Sequence, residues 1–339
     1  MILINLEFAL SVPLDFDRYK LGHFPTPIEY LENITNYING PKIFIKSDDC
    51  TGLATGGNKT RKLEYLMPDA IHNKATTIIT IGAVQSNHAR QTAAACAILN
   101  IKCIIVLEQR LEEAPSAYMN SGNVFLDKLF GAELIFCPKE KDAKEFAERI
   151  MEQSKKDGEI PYYIPVGGSN EIGELGYVEC IREIIELQSE QKFTHIILPS
   201  GSGGTHSGSI VGKTFFNSDI KIIGISVKDN KKDQEEKVFN LAKKCCAYIK
   251  CSQPSSEDIV VFDDYVGKGY GIPTEGMKHA LKLMARKEAI LLDPVYSGKC
   301  FDGLINLINK KYFNNSDSIL FLHTGGSASL SAYEWAFQK

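Results

Sequence analysis

The chain has 339 residues, 44% hydrophobic and 24% charged, with a formal charge of −4. That composition supports a buried core and excludes a disordered chain, and at about 150 residues per domain it suggests two domains. A mildly acidic surface argues against nucleic acid or an anionic membrane as the main partner, so any anion must be met by a local site.

Nine cysteines without a CxxC pair or framework spacing read as reduced thiols, and no metal-ligand spacing stands out. The first residues lack a basic leader with a small-residue cleavage site. No apolar run approaches the roughly 20 residues of a membrane helix. The expectation is a soluble cytoplasmic protein acting on a small molecule.

In chain order, the pattern predicts a strand at 43–46, helix 59–70, strand 76–81, helix 87–99, strand 103–107 and helix 121–130. Strand 133–136, helix 143–156, strand 162–165, helix 175–189, strand 195–198, helix 204–216 and strand 220–226 follow. Helices 234–245, 274–287 and 298–310 and a strand at 318–323 complete the chain. Such alternation predicts an α/β fold of mostly parallel sheets covered by helices on both faces. The charged stretch from Lys228 to Lys237 reads as a solvated loop and first helical turn.

Glycine meets hydroxyl or amide residues at three junctions, 55–62, 199–205 and 323–327. Ligands in open parallel sheets bind outside the carboxyl ends of strands, where such junctions lie. The loop Ser200-Gly201-Ser202-Gly203-Gly204-Thr205 follows an apolar strand and opens a helix. Its glycines allow close backbone approach and the helix start favours an anion, which describes a phosphate cup. The same loop also suits plain chain reversal.

A dinucleotide GxGxxG fails because His206 takes the last position, and 208–214 is one residue short of a P-loop. Lys59 stands at a helix start beside Arg61 and Lys62. Neighbouring cations and partial burial would lower its pKa and make it a nucleophile toward a carbonyl, although a lysine in a basic run is also at home in solvent. A reactive lysine with a phosphate cup and no nucleotide motif is what pyridoxal phosphate requires. Gln85-Ser86-Asn87-His88 opens another helix with groups able to hold a ring oxygen and a carboxylate, or simply to cap the helix.

The set Gly56-Gly57-Asn58-Lys59-x-Arg61-Lys62-Leu63-Glu64, Gln85-Ser86-Asn87-His88, Gly167-Gly168-Ser169-Asn170, Asp293-Pro294-Val295-Tyr296 and His323-Thr324-Gly325-Gly326 resembles the fold-type-II pyridoxal-phosphate family. The matching branch holds 1-aminocyclopropane-1-carboxylate (ACC) deaminase, D-cysteine desulfhydrase and L-cysteate sulfo-lyase.

The resemblance implies a larger lobe from 1–58 and 171–339, a smaller inserted lobe at 59–170, and a homodimer. It implies that Lys59 carries the cofactor, Asn87 bonds the ring oxygen, 200–205 hold the phosphate and Thr324 faces the ring nitrogen. Ser86, with Asn87 and His88, would meet the substrate, and Tyr270 and Tyr296 would flank the reacting carbons.

Ser297 and Thr324 stand where ACC deaminases resemble one another in a glutamate and an aliphatic residue, which argues against the deaminase. Elimination of a good β leaving group fits better. The segment Gly267-Lys268-Gly269-Tyr270-Gly271 and Tyr296-Ser297-Gly298-Lys299 look more like L-cysteate sulfo-lyase, with Lys268 and Ser297 at the substrate. Lys268 would bond a sulfonate. D-cysteine desulfhydrase is the alternative. A ligand sensor without chemistry is disfavoured by an intact Lys59, and a β-replacement synthase by the Gln85-Ser86-Asn87-His88 loop.

Overall fold

The computed structural model describes residues 16–111, 113–188 and 192–338. Among them, a six-stranded sheet contains β1 (Ile28–Tyr30), β2 (Lys42–Ser47), β7 (His195–Ser200), β8 (Lys221–Ser226), β9 (Val260–Phe262) and β10 (Ser318–His323). A four-stranded sheet contains β3 (Thr77–Ala83), β4 (Lys102–Glu108), β5 (Glu133–Phe136) and β6 (Pro161–Ile164). The strand orders are β1-β2-β10-β7-β8-β9 and β5-β4-β3-β6. Every pairing is parallel except β1 against β2.

The helices are α1 (Glu32–Ile38), α2 (Lys59–His72), α3 (Asn87–Leu99), α4 (Ser116–Asn120), α5 (Gly122–Leu129), α6 (Ala143–Lys156), α7 (Leu175–Leu187), α8 (Gly204–Phe215), α9 (Lys231–Ile249), α10 (Glu275–Glu288) and α11 (Ser297–Asn309). They cover both faces of both sheets because successive strand residues point to opposite sides and both sides are apolar. In the larger sheet Ile196, Leu198, Leu320 and Leu322 pack on α7, α8 and α9, while Ile197, Ile223, Ile319 and Phe321 pack on α10 and α11. In the smaller sheet Ile78, Ile105 and Leu107 meet α2 and α3, and Ile79, Ile81 and Val106 meet α6.

Helix α2 lies between the sheets and is buried along most of its length. Arg61 donates to Asp48 through Nε and Nη2 (both 2.8 Å) and to Glu183 through Nη1 (2.8 Å) and Nη2 (2.9 Å). Lys46 Nζ also reaches Glu183 (3.0 Å), and the Tyr177 hydroxyl donates to Asp48 (2.6 Å). This buried cluster ties the first turn of α2 to β2 and α7. Pro68 has no N–H to give the Glu64 carbonyl, and the Tyr19 N–H fills that place at 2.8 Å.

The alternation and the parallel sheets agree with the sequence reading. Strands β1 and β9 and helices α1 and α4 are additional. The two strands have three residues each, too few for a period-two pattern to register. Helix α9 begins at Lys231, capped by Asn230, three residues before the expected start, so the loop part of the charged stretch is shorter than expected and its helical part longer. No described helix is long and apolar enough to cross a membrane.

Candidate active site

The carboxyl ends of β3, β7 and β10 deliver three loops to one cleft of about 580 Å³, whose inner end is walled by the Ser200–Thr205 loop. Lys59, at the start of α2, forms its floor. Its Nζ makes no hydrogen bond with a described residue, and burial pushes its pKa down to about 8. Arg61 contributes nothing to that shift, because its charge is turned away into Asp48 and Glu183. Desolvation does the work expected of neighbouring cations.

The glycine loop is built as an anion cup. Gly203 has φ 92°, and helix α8 starts at the next residue. The backbone N–H groups of Ser202, Gly203, Thr205 and His206 have no partner among the described residues. Gly204 N–H bonds Ser169 Oγ (3.2 Å). Ser169 in turn meets Ser202 (2.8 Å), and Lys62 Nζ donates to Gly167 O (3.1 Å) and Ser169 Oγ (3.3 Å). A second buried lysine therefore stands behind the cup, its pKa well below the ordinary value from burial and from Lys59.

The charged stretch contributes here too. Gln234 Nε2 bonds Ser200 Oγ (2.7 Å), and Lys237, paired with Asp229, lines the cleft. Asn58 Nδ2 holds the Thr205 hydroxyl at 3.0 Å.

Ser86 caps α3 by accepting from Ala89 N–H (3.1 Å) and also lines the cleft, so the two roles weighed for it are compatible. Asn87 Oδ1 takes bonds from Arg90 Nη1 (3.0 Å) and Asn123 Nδ2 (2.9 Å), which fixes the amide and leaves Nδ2 as the free donor. Arg90 also binds Gly56 O (2.7 Å), two residues before Asn58, and so joins the Asn87 helix to the Lys59 loop. His88 is held by the Thr80 hydroxyl (2.8 Å), and burial together with Lys59 and Lys62 keeps it neutral. Thr324 lines the inner end with a hydroxyl unbonded to described residues.

Tyr270 and Tyr296 meet hydroxyl to hydroxyl at 2.5 Å across the cleft from Ser86. Burial raises both pKa values, so the pair is protonated.

Two expected contacts are not formed. Lys268 is exposed on the outer side of its turn, lining a separate surface hollow with Trp335 and Lys278. Glycines on either side let the chain swing Tyr270 inward and Lys268 outward (φ 68° at Gly267 and 149° at Gly269). Ser297 is wholly buried behind the cleft, with Oγ donating to Asp293 Oδ1 and accepting from Asp293 N–H, both at 2.7 Å. It shapes the turn that presents Tyr296 and does not line the cleft. Lys62, Arg90, Asn123 and Arg110 join the site without having been expected there. Lys62 carried a signal in the basic run after Lys59, and Asn123 in the family-like stretch 121–124; Arg90 and Arg110 carried none.

Orphan amides facing a cavity, a free lysine of lowered pKa opposite them, and a fixed amide donor between fit pyridoxal phosphate. The family model described as pyridoxal-phosphate-dependent enzyme matches residues 19–325, and the chain belongs to that family. A solved structure described as an ACC deaminase homologue is 37% identical, with TM-score 0.86, covering 99% of this chain and 98% of that one. Threonine deaminase isoform 2 of Solanum lycopersicum, 18% identical with TM-score 0.65, covers 98% of this chain and 87% of its own. A hydrogen sulfide-producing enzyme of Fusobacterium nucleatum, 19% identical with TM-score 0.64, covers 91% and 96%. These last two likenesses show the fold alone.

Proposed function

We propose that the chain is a carbon–sulfur lyase that removes a β substituent from a small sulfur amino acid, L-cysteate first, giving sulfite, pyruvate and ammonia. The observation that carries this reading is the placement of Lys59 between the orphan amides of the cup and the N-terminus of α3. Bound pyridoxal phosphate supplies an electron sink for charge at the substrate α-carbon. Lys59 accepts the α-proton. With a pKa of about 8, roughly one lysine in ten is neutral at pH 7, against well under one in a thousand at the ordinary value.

Ser86 and the first-turn amides of α3 hold the substrate carboxylate. Asn87, its oxygen already occupied, donates from Nδ2 to the ring oxygen. Tyr270 and Tyr296, both protonated, stand over the departing group. Residues 59–170, which contain all four strands of the smaller sheet, form the inserted lobe in this reading. The second reading, D-cysteine desulfhydrase, is favoured by Glu108, a carboxylate in the cleft that suits a neutral thiol better than a sulfonate.

The protein loaded with pyridoxal phosphate is treated with borohydride and mapped, and pyruvate release is followed from L-cysteate, D-cysteine, L-cysteine and ACC. Labelling at Lys59 with pyruvate fastest from L-cysteate is expected. Faster release from D-cysteine selects the second reading. 2-Oxobutanoate from ACC at a matching rate, or labelling elsewhere, overturns both.

A further inference from the structure

With Lys268 facing outward, the cleft needs another cation if it is to read an anionic side chain, and Arg110 is placed to be one. It follows the carboxyl end of β4, which the bond from Val84 N–H to Glu108 O (3.2 Å) holds beside the loop carrying Ser86. Its guanidinium carbon lies 4.6 Å from the centroid of the Tyr270 ring, which orients the planar fork by cation–π attraction. Among the described residues it makes one hydrogen bond, from Nη2 to Glu108 Oε2 (2.6 Å), leaving four of five N–H donors. Burial works against its charge, but it is paired with the Glu108 carboxylate and its pKa stays above the ordinary value.

We infer that Arg110 is the specificity-determining residue of the cleft, selecting amino acids that carry a second oxyanion on the β-carbon, a sulfonate, as the leaving group. This rests on the lyase reading. A substrate with its carboxylate at Ser86 and its α-carbon at Lys59 has its third arm left for the side bounded by Tyr270 and Arg110. A sulfonate there accepts two parallel bonds from the fork, a geometry that lysine does not match. In the reaction the α-proton passes to Lys59, the carbon–sulfur bond breaks with its electron pair leaving on sulfite, and water converts the remaining aminoacrylate to pyruvate and ammonia. No oxidant or reductant is needed.

The test compares kcat/KM for L-cysteate and for β-chloro-L-alanine, whose arm is neutral, in the cofactor-loaded wild type, Arg110→Gln, Arg110→Lys and Lys268→Ala. The cysteate-to-chloroalanine ratio should fall about 10- to 100-fold in Arg110→Gln, mainly through KM, with a smaller fall in Arg110→Lys. Lys268→Ala should keep the ratio within about twofold of wild type. An unchanged ratio in Arg110→Gln, or an equal fall in Lys268→Ala, overturns the assignment. A wild type that releases chloride but not sulfite overturns it while leaving a lyase. If the wild type eliminates neither, the lyase reading falls, and absorbance titration with L-cysteate decides Arg110 separately. Binding at least tenfold weaker in Arg110→Gln supports its role, and equal binding overturns it.

Discussion

Asp127 on α5 is fully buried, and both its carboxylate oxygens lack a hydrogen-bond partner. Burial raises its pKa from 3.8 to about 8 against the opposing pull of Arg90. In the folded protein it is therefore protonated at neutral pH, whereas the unfolded chain ionises it near 4. Below pH 4 both states hold the proton and the group has no effect. Between pH 4 and 8 the unfolded state releases it, so stability falls as pH rises, and above 8 the loss is complete.

About four units at roughly 1.4 kcal/mol each bounds that loss near 6 kcal/mol, and relaxation around the site brings it to about 2–4. Asp127→Asn removes the titration and instead buries an amide without partners, at about 1–3 kcal/mol. At pH 5 the variant should be no more stable than wild type. At pH 8 it should be more stable by about 1–2 kcal/mol. Urea unfolding of both proteins at pH 5, 6.5 and 8 measures the difference. A gap that does not change with pH, or a variant weaker at pH 8 than at pH 5, would refute the protonated carboxyl.

The rate at which the cofactor-free protein attaches pyridoxal phosphate should rise about tenfold per pH unit up to pH 8 and then level, because the neutral Lys59 amine is the reacting form; a profile still climbing at pH 9.5 contradicts the lowered pKa, and Lys59→Ala should show no covalent absorbance at all. Gly204→Ala would bring a Cβ within 2.5 Å of Ser169 Oγ and 2.7 Å of Lys62 Nζ, so cofactor affinity by fluorescence titration should weaken at least tenfold with the fold retained. Arg61→Met strips Asp48 and Glu183 of their shared cation and should lower stability by about 3–5 kcal/mol in chemical denaturation, whereas a loss under 1 kcal/mol would mean that the cluster contributes little. Arg90→Lys cannot reach Asn87, Asn123 and Gly56 together, so the absorbance of the bound cofactor should shift even where its affinity survives.

Lys59, the amides of 200–205 and Ser86-Asn87 were legible in the sequence because each belongs to one short segment. A glycine-rich turn opening a helix makes an anion site from its own backbone, and its chemistry depends little on what packs around it. The parallel sheets were legible for a related reason: strands buried on both faces are apolar throughout, and that run shows in the chain. Direction and partnership were not legible. Two glycines decide that Tyr270 enters the cleft while Lys268 leaves it, and the backbone of Asp293 captures the Ser297 hydroxyl. Arg90 reads in the sequence as one more charged helical residue. Only the approach of α3 to the Lys59 loop and α5 makes it the clamp that aims Asn87. Arg110, just after β4, and Lys237, on α9 after β8, likewise became cleft residues when those elements were brought to the same opening. A backbone amide's orientation is set by a few neighbouring dihedrals, but the reach of a long side chain is set by which distant surface offers it a partner, and that is decided by packing.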